Sequence, residues 1–163
     1  MIDRPEGDDP LALEQQVCFA LSVAARSVVA VYRPLLEPMG LTHPQYLVML
    51  ALWQHAPLSG RDLSRLLQLD PGTLSPLLKR LEAAGYLRRE RDAADERSLA
   101  VTLTASGAAL RSQAELIPAA IVRRLGLPVA DLQHLHEVLT RVIAAANRPA
   151  DQQPSEAPGQ ASA

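Results

Sequence analysis

Cysteine, aromatic residues and long apolar runs are what this 163-residue chain has least of. A single cysteine, Cys18, excludes a disulfide-stapled scaffold and points to a reducing, cytoplasmic setting. Aromatics make up only 3% of the residues, so any core must be built from Leu, Val and Ala. No apolar run is expected to reach the roughly 20 residues of a membrane-spanning helix, and no membrane partner is expected. Met1 to Asp9 is acidic and polar rather than basic then apolar, which argues against a signal peptide. His134 and His136 lie two apart on a helix and face different ways, while His55 has no motif partner. Neither a metal nor another cofactor is expected. The net charge of −2 excludes a general polyanion binder. The 48% apolar and 21% charged content is ordinary for a globular chain of one domain.

What is there is concentrated between Leu58 and Thr104, which reads as a helix-turn-helix followed by a two-stranded wing. Ser59 stands where an N-cap belongs, ahead of Asp62, and Leu63, Leu66 and Leu67 follow at helical spacing. Asp70 can cap a second helix, with Pro71 in its first turn, where a missing N–H costs nothing. That helix gathers Leu74, Leu77, Leu78 and Leu81 on one face and leaves Thr73, Ser75, Lys79 and Arg80 on the other. Gly85 ends it. Tyr86–Arg91 is a short strand candidate, Asp92–Ser98 a charged turn, and Leu99–Leu103 alternates as a half-buried strand does. From Thr73 to Arg91, five basic residues stand against Glu82 and Glu90, a local net charge of +3. A basic surface on a near-neutral body suits a reader of double-stranded DNA.

The fold class expected is mainly α with a small β-wing: a winged helix-turn-helix whose N- and C-terminal helices form a dimerisation domain. Residues 1–9 read as a flexible arm and residues 10–147 as the folded domain. Within it, 58–104 is the DNA-binding lobe, and 10–37 and 104–147 are dimerisation helices. The first helix is expected from about Pro10 to Glu37, kinked or ended by Pro34. His43–His55 follows, capped by Thr42; then Thr104–Leu125, kinked by Pro118, and Val129–Asn147. Residues 148–163, rich in Pro, Gln, Ser and Ala, read as a disordered tail. The terminal helices carry apolar stripes that a second copy can bury across a two-fold axis.

Leu11, Cys18, Ala25 and Tyr32 recur every seven residues and share one helix stripe. Cys18 and Tyr32 stand about 21 Å apart along such a helix, so they cannot touch within one chain. Two antiparallel copies would bring the thiol of one near the phenol of the other, and a phenol donating to a thiolate raises its reactivity. On these boundaries Cys18 lies about two turns into its helix, beyond the reach of the helix dipole. The alternative is that Cys18 is a small buried apolar residue.

The segment Asp70-Pro71-Gly72-Thr73-Leu74-Ser75-Pro76-Leu77-Leu78-Lys79-Arg80-Leu81-Glu82, with Asp95-Glu96-Arg97-Ser98, resembles the MarR family of dimeric repressors. Gln16-Val17-Cys18-Phe19-Ala20-Leu21, Tyr32-Arg33-Pro34-Leu35-Leu36 and Pro44-Gln45-Tyr46-Leu47-Val48-Met49-Leu50 are similar to its organic-hydroperoxide-sensing OhrR type. The resemblance covers about Gln15 to Asn147. It implies a repressor, not an enzyme, whose Cys18 is oxidised by organic hydroperoxides and which then leaves its operator. It also implies that Tyr32 of the other subunit bonds to the thiol. Thr73, Ser75, Pro76, Lys79 and Arg80 would face the major groove, supported by Arg89, while Asp95 and Arg97 sit at the wing tip. Arg97 would reach the minor groove, where a guanidinium suits a narrow, negative channel.

Three positions depart from the family pattern. His43 stands where a second tyrosine is usual, Ser22 where a third is common, and Pro71 where Ser is frequent. His43 is expected to replace a phenol as donor, as imidazolium, or else to be a surface residue at a helix start. With no second cysteine, the oxidised thiol is expected to form a mixed disulfide with a low-molecular-weight thiol. The other reading is a MarR-type repressor released by a small aromatic ligand, with Cys18 structural. Phe19, Tyr32, Met49 and Trp53 are expected to shape the pocket around the thiol.

Overall fold

The computed structural model describes residue 9 and residues 11–91 and 99–149. The expected wing turn, with Asp95 and Arg97, the arm before residue 9 and the tail beyond 149 lie outside them. The chain forms two compact units, Met1–Ile121 and Val122–Ala163.

In the first unit, a 3-10 turn over Leu13–Gln15 precedes α1, Val17–Leu36. The helix therefore starts well after Pro10. Gln16 is extended, with φ −78° and ψ 122°, and its side chain does not cap the helix; the apolar spacing before it belongs to the tighter turn. Pro34 neither ends nor breaks α1. Its missing N–H would have bonded to Ala30, and both residues face outward, where water can serve the carbonyl. The end comes at Gly40, left-handed at φ 65°, after a 3-10 turn over Glu37–Met39.

The second helix, α2, spans His43–His55 behind a capping box. The Gln45 N–H donates to the Thr42 hydroxyl at 3.4 Å, and the Thr42 N–H to the Gln45 side chain at 2.9 Å. Tyr46, Val48, Met49 and Leu52 are buried. This helix packs on α1, on α3 (Gly60–Leu67), on α4 (Pro71–Ala83) and on strand β3 (Leu99–Leu103). Leu63, Leu81, Leu87 and Val101 complete the core around it. Burying each of the larger side chains is worth about 1.5–3 kcal/mol. Leu66, expected on the inner stripe of α3, is instead 48% exposed.

The wing has a strand more than expected. Leu58–Ser59 forms β1, which pairs antiparallel with β3, Leu58 opposite Val101. The other neighbour of β3 is β2, Leu87–Arg91, with Leu87 opposite Leu103 and Arg89 opposite Val101. The sheet order is β1-β3-β2.

Between α4 and β2 the chain turns through a Schellman motif. Gly85 is left-handed at φ 79°, the Tyr86 N–H donates to Leu81, and the Gly85 N–H to Glu82, each at 3.0 Å. Tyr86 then ties three elements together. Its hydroxyl donates to the Met39 carbonyl at 2.9 Å, and its own carbonyl accepts from the Thr104 N–H at 3.1 Å. Gly107 is pressed so closely on the Tyr86 backbone that an added Cβ would lie 1.9 Å from its carbonyl oxygen.

After the wing the expected single helix is broken into α5 (Ala105–Ala109), α6 (Arg111–Ala114) and α7 (Ile117–Leu125). Thr104 caps α5 through the Gly107 N–H at 3.0 Å. The breaks fall where bonding tightens to three-residue spacing, Gln113 to Leu110 and Leu116 to Gln113. Pro118 is the second residue of α7, so it opens a helix rather than kinking one. In the second unit α8 spans Val129–Ala146 and has no buried residue.

One expectation about the membrane needs correcting. By length and composition alone, Val17–Met39 is long and apolar enough to cross a bilayer. Its Ala, Val and Leu residues outweigh the isolated Arg26 and Arg33.

Candidate nucleic-acid interface and thiol site

The outward face of α4 is built by its two caps. Asp70 accepts the Thr73 N–H at 2.9 Å and the Thr73 hydroxyl at 2.6 Å. The Thr73 hydroxyl, then its backbone N–H, holds the Asp70 carboxyl below the usual carboxylate range. Leu74, Leu77, Leu78 and Leu81 face the core, which turns Thr73, Ser75, Pro76, Lys79 and Arg80 to the exterior. All five are exposed, on a single helix, as a groove-reading face requires. Pro76 sits inside α4, and the helix continues through it.

Charge on this lobe is partly spent internally. Arg88 pairs with Glu90 at 2.7 Å on the exposed side of β2. Arg89, expected to support DNA binding, has its guanidinium engaged by Glu82 of α4 at 2.5 Å. Among the described residues, Lys79, Arg80 and Arg91 have no carboxylate within ion-pair distance. Among the described residues, the local +3 therefore falls on those three.

The thiol lies elsewhere. Cys18 is the second residue of α1 and exposed. The late start of α1 corrects its placement: it belongs to the first turn, among unpaired backbone N–H groups, where the helix dipole does act. It is also not a buried packing residue in the single chain.

Tyr32 and His43, which nothing in their spacing joins, are brought together within one chain. Their rings meet edge to face with centroids 5.0 Å apart. Tyr46 lies 5.9 Å from Tyr32, and Trp53 lies 6.4 Å from Tyr46. Sequence reasoning missed Tyr46 as a neighbour of Tyr32. Three-residue spacing from His43 on a capped helix was the signal available. Burial pushes the Tyr32 phenol up and pulls His43 down from its ordinary value. Desolvation therefore favours a neutral imidazole near neutral pH, not the imidazolium expected. A neutral ring still offers one N–H.

Beside His43 opens a cleft of about 450 Å³, lined by Val29, Arg33, Glu37, Leu41 and Thr42 among others. Met49, expected to line a pocket, is fully buried core. Among the described residues no group of three or more His, Cys, Asp or Glu is placed to hold a metal.

An exposed polar face on a capped second helix, followed by an antiparallel ribbon, defines a winged helix-turn-helix protein. Residues 41–99 match the MarR family model. The chain is 40% identical over 131 residues to the organic hydroperoxide resistance transcriptional regulator of Bacillus subtilis, covering 80% of this chain and 89% of that one. It is 43% identical over 128 residues to the HTH-type transcriptional regulator TtmR of Methylorubrum extorquens, spanning 78% of this chain but 66% of that protein. Among solved structures, reduced AbfR bound to DNA superposes with a TM-score of 0.68 at 34% identity, over 83% of this chain and 95% of that one. AbfR has also been solved overoxidized on DNA and with a disulfide formed. The chain belongs to the MarR family and is a transcriptional regulator, not an enzyme.

Proposed function

We propose that this regulator represses transcription from a DNA operator and is released from it when an organic hydroperoxide oxidises Cys18. One observation carries the reading furthest. The lone thiol is exposed in the first turn of α1, in a chain that aligns with 89% of a relative named for organic hydroperoxide resistance. The reaction balances between the thiol and the peroxide, the thiol's proton ending on the departing alkoxide. The sulfur attacks the peroxide, the O–O bond breaks, an S–O bond forms, and the alcohol leaves. Sulfur is oxidised by two electrons and the peroxide reduced by two. The chain has no second cysteine, so a low-molecular-weight thiol then displaces water to give a mixed disulfide.

A second copy of the chain completes the site. Leu13, Val17, Phe19 and Leu21 on and before α1, and Leu135, Val142 and Ile143 on α8, are exposed apolar residues that a homodimer would cover. Tyr32 and His43, already in contact, are the donor pair that Cys18 of the second copy would meet. Thr73, Ser75, Pro76, Lys79 and Arg80 would read the major groove, with Asp95 and Arg97 on the wing.

The test is DNA binding to the region upstream of the protein's own gene, with and without an organic hydroperoxide, for wild type and Cys18→Ser. Release of wild type alone, reversed by a thiol reductant and accompanied by a mass gain on Cys18, is expected. Equal release of both proteins refutes thiol sensing. Release of neither by peroxide but of both by a small aromatic compound favours the ligand-released reading.

A further inference from the structure

We propose that Glu82 is a positioning residue that sets the β2–β3 ribbon against α4 by clamping Arg89, so that Arg89 acts on DNA specificity through Glu82. The proposal rests on α4 and the ribbon being the DNA-reading lobe.

The geometry is that of a fork held by one carboxylate. Glu82 Oε2 accepts from Arg89 Nη2 at 2.5 Å and from Nε at 3.1 Å, while Oε1 accepts the Arg89 backbone N–H at 3.3 Å. Side chain and main chain of one strand residue are thus tied to the last turn of the helix before it. The link closes over the Schellman turn at Gly85, leaving little freedom between the two elements.

Arg89 lies two residues after the buried Leu87 and so projects to the same side of the strand, towards α4. The pair is half-buried, with side chains 28% and 36% exposed. Arg88–Glu90 is a built-in contrast. It joins two residues of one strand, is 61% and 50% exposed, and among the described residues ties no helix to that strand. Exposed pairs of that kind are worth little.

Charge and position make opposite predictions for Glu82→Gln. Removing a negative charge from a lobe that approaches phosphate strengthens binding if charge alone matters. If the carboxylate positions the ribbon, the same change weakens specific binding. The experiment titrates wild type, E82Q, E90Q, R89K, R89Q, the double variant E82Q/R89K and the exchanged pair E82R/R89E. The target is the duplex that wild type itself selects from a random pool, with a scrambled duplex as control.

The expected result is that E82Q loses about tenfold in affinity for the selected duplex and little for the scrambled one. R89K, which keeps the charge but not the fork, should lose a similar factor, and the double variant no more than either single one. E90Q should bind as wild type or slightly tighter. Melting temperatures within a few degrees of wild type would show that the lobe remains folded. The exchanged pair E82R/R89E, expected to recover part of the specificity, guards against a fold effect in the single variants. E82Q binding the selected duplex as tightly as wild type, or tighter, overturns the proposal. So does an R89K protein that binds normally beside an R89Q protein whose salt dependence drops by about one ion, since that marks Arg89 as a direct phosphate contact. Failure of wild type to select any sequence removes the DNA-reading lobe and the proposal with it.

Discussion

The winged lobe and α1 are built on opposite terms. In the lobe, nearly every local signal finds its partner within the chain. Ser59, Asp70 and Thr104 each cap the helix that follows, and Gly85 closes α4. In α1 the signals stay open. Leu36 is its only fully buried residue, Val17, Phe19 and Leu21 are exposed, and so is the thiol. A region that satisfies itself can be read from one sequence. A region that leaves its apolar face exposed cannot, because the chain's own local signals do not say what covers it.

Perturbing the self-sufficient lobe should cost most. Gly107→Val places side-chain atoms against the Tyr86 backbone, which is main chain and cannot swing aside. A loss of about 3 kcal/mol or more is expected, with DNA binding lost alongside. Denaturant unfolding would measure it, and a variant as stable as wild type would show that the turn repacks freely. Leu81→Ala, at a fully buried position, should cost about 2–5 kcal/mol.

On α1 the matching change, Phe19→Glu, should do something different in kind. Phe19 is 36% exposed in the single chain, so some loss of stability is expected from the single chain itself and is measured alongside. If a second copy covers it, sedimentation should show the mass of the wild-type species halved while the helical signal of each chain persists. An unchanged mass would place the apolar face of α1 outside any homodimer contact and would turn attention to its bilayer-like composition.

The same contrast explains what was legible. The winged order of elements, the caps and the inner face of α4 were visible, because each rests on short-range spacing; α2 showed no single apolar face, and its Leu47 and Leu50 are exposed. The strand β1 was not, since two residues become a strand only by pairing Leu58 with Val101, far along the chain. The start of α1 was misplaced because Gln16 is an unmarked boundary with no side-chain cap. The grip of Glu82 on Arg89, seven residues later across a turn, is not marked by any local spacing. Tyr32 and His43 were identified singly; their contact depends on how the Gly40 turn folds α2 back on α1.

A smaller effect tests the junction between the two regions. Thr42→Ala removes one half of the capping box that starts α2 directly after the Gly40 turn. It should cost about 1 kcal/mol, read as a lowered melting temperature. Because Thr42 lines the cleft beside His43, the rate of Cys18 oxidation should fall more than stability does if the cleft receives the thiol.

The smallest expected effect is a pH dependence from His43. Burial holds its folded-state pKa below the ordinary value of 6.5, so the unfolded chain takes up the proton first as pH falls. Above about 6.5 both states are neutral there and the contribution is fully present. As pH drops from 6.5 towards the folded value, stability declines, and it levels off below that value. His43→Phe should remove this slope, and subtracting its profile from that of wild type isolates the residue from the other histidines. His43→Gln should flatten the slope equally while keeping an N–H donor in place. Oxidation of Cys18 then separates the two roles of the ring. If His43 donates to the thiolate of a second copy, the Gln variant oxidises nearly as fast as wild type and the Phe variant more slowly. Equal rates in all three would leave His43 as an edge-on support for Tyr32 and return the whole donor role to the phenol.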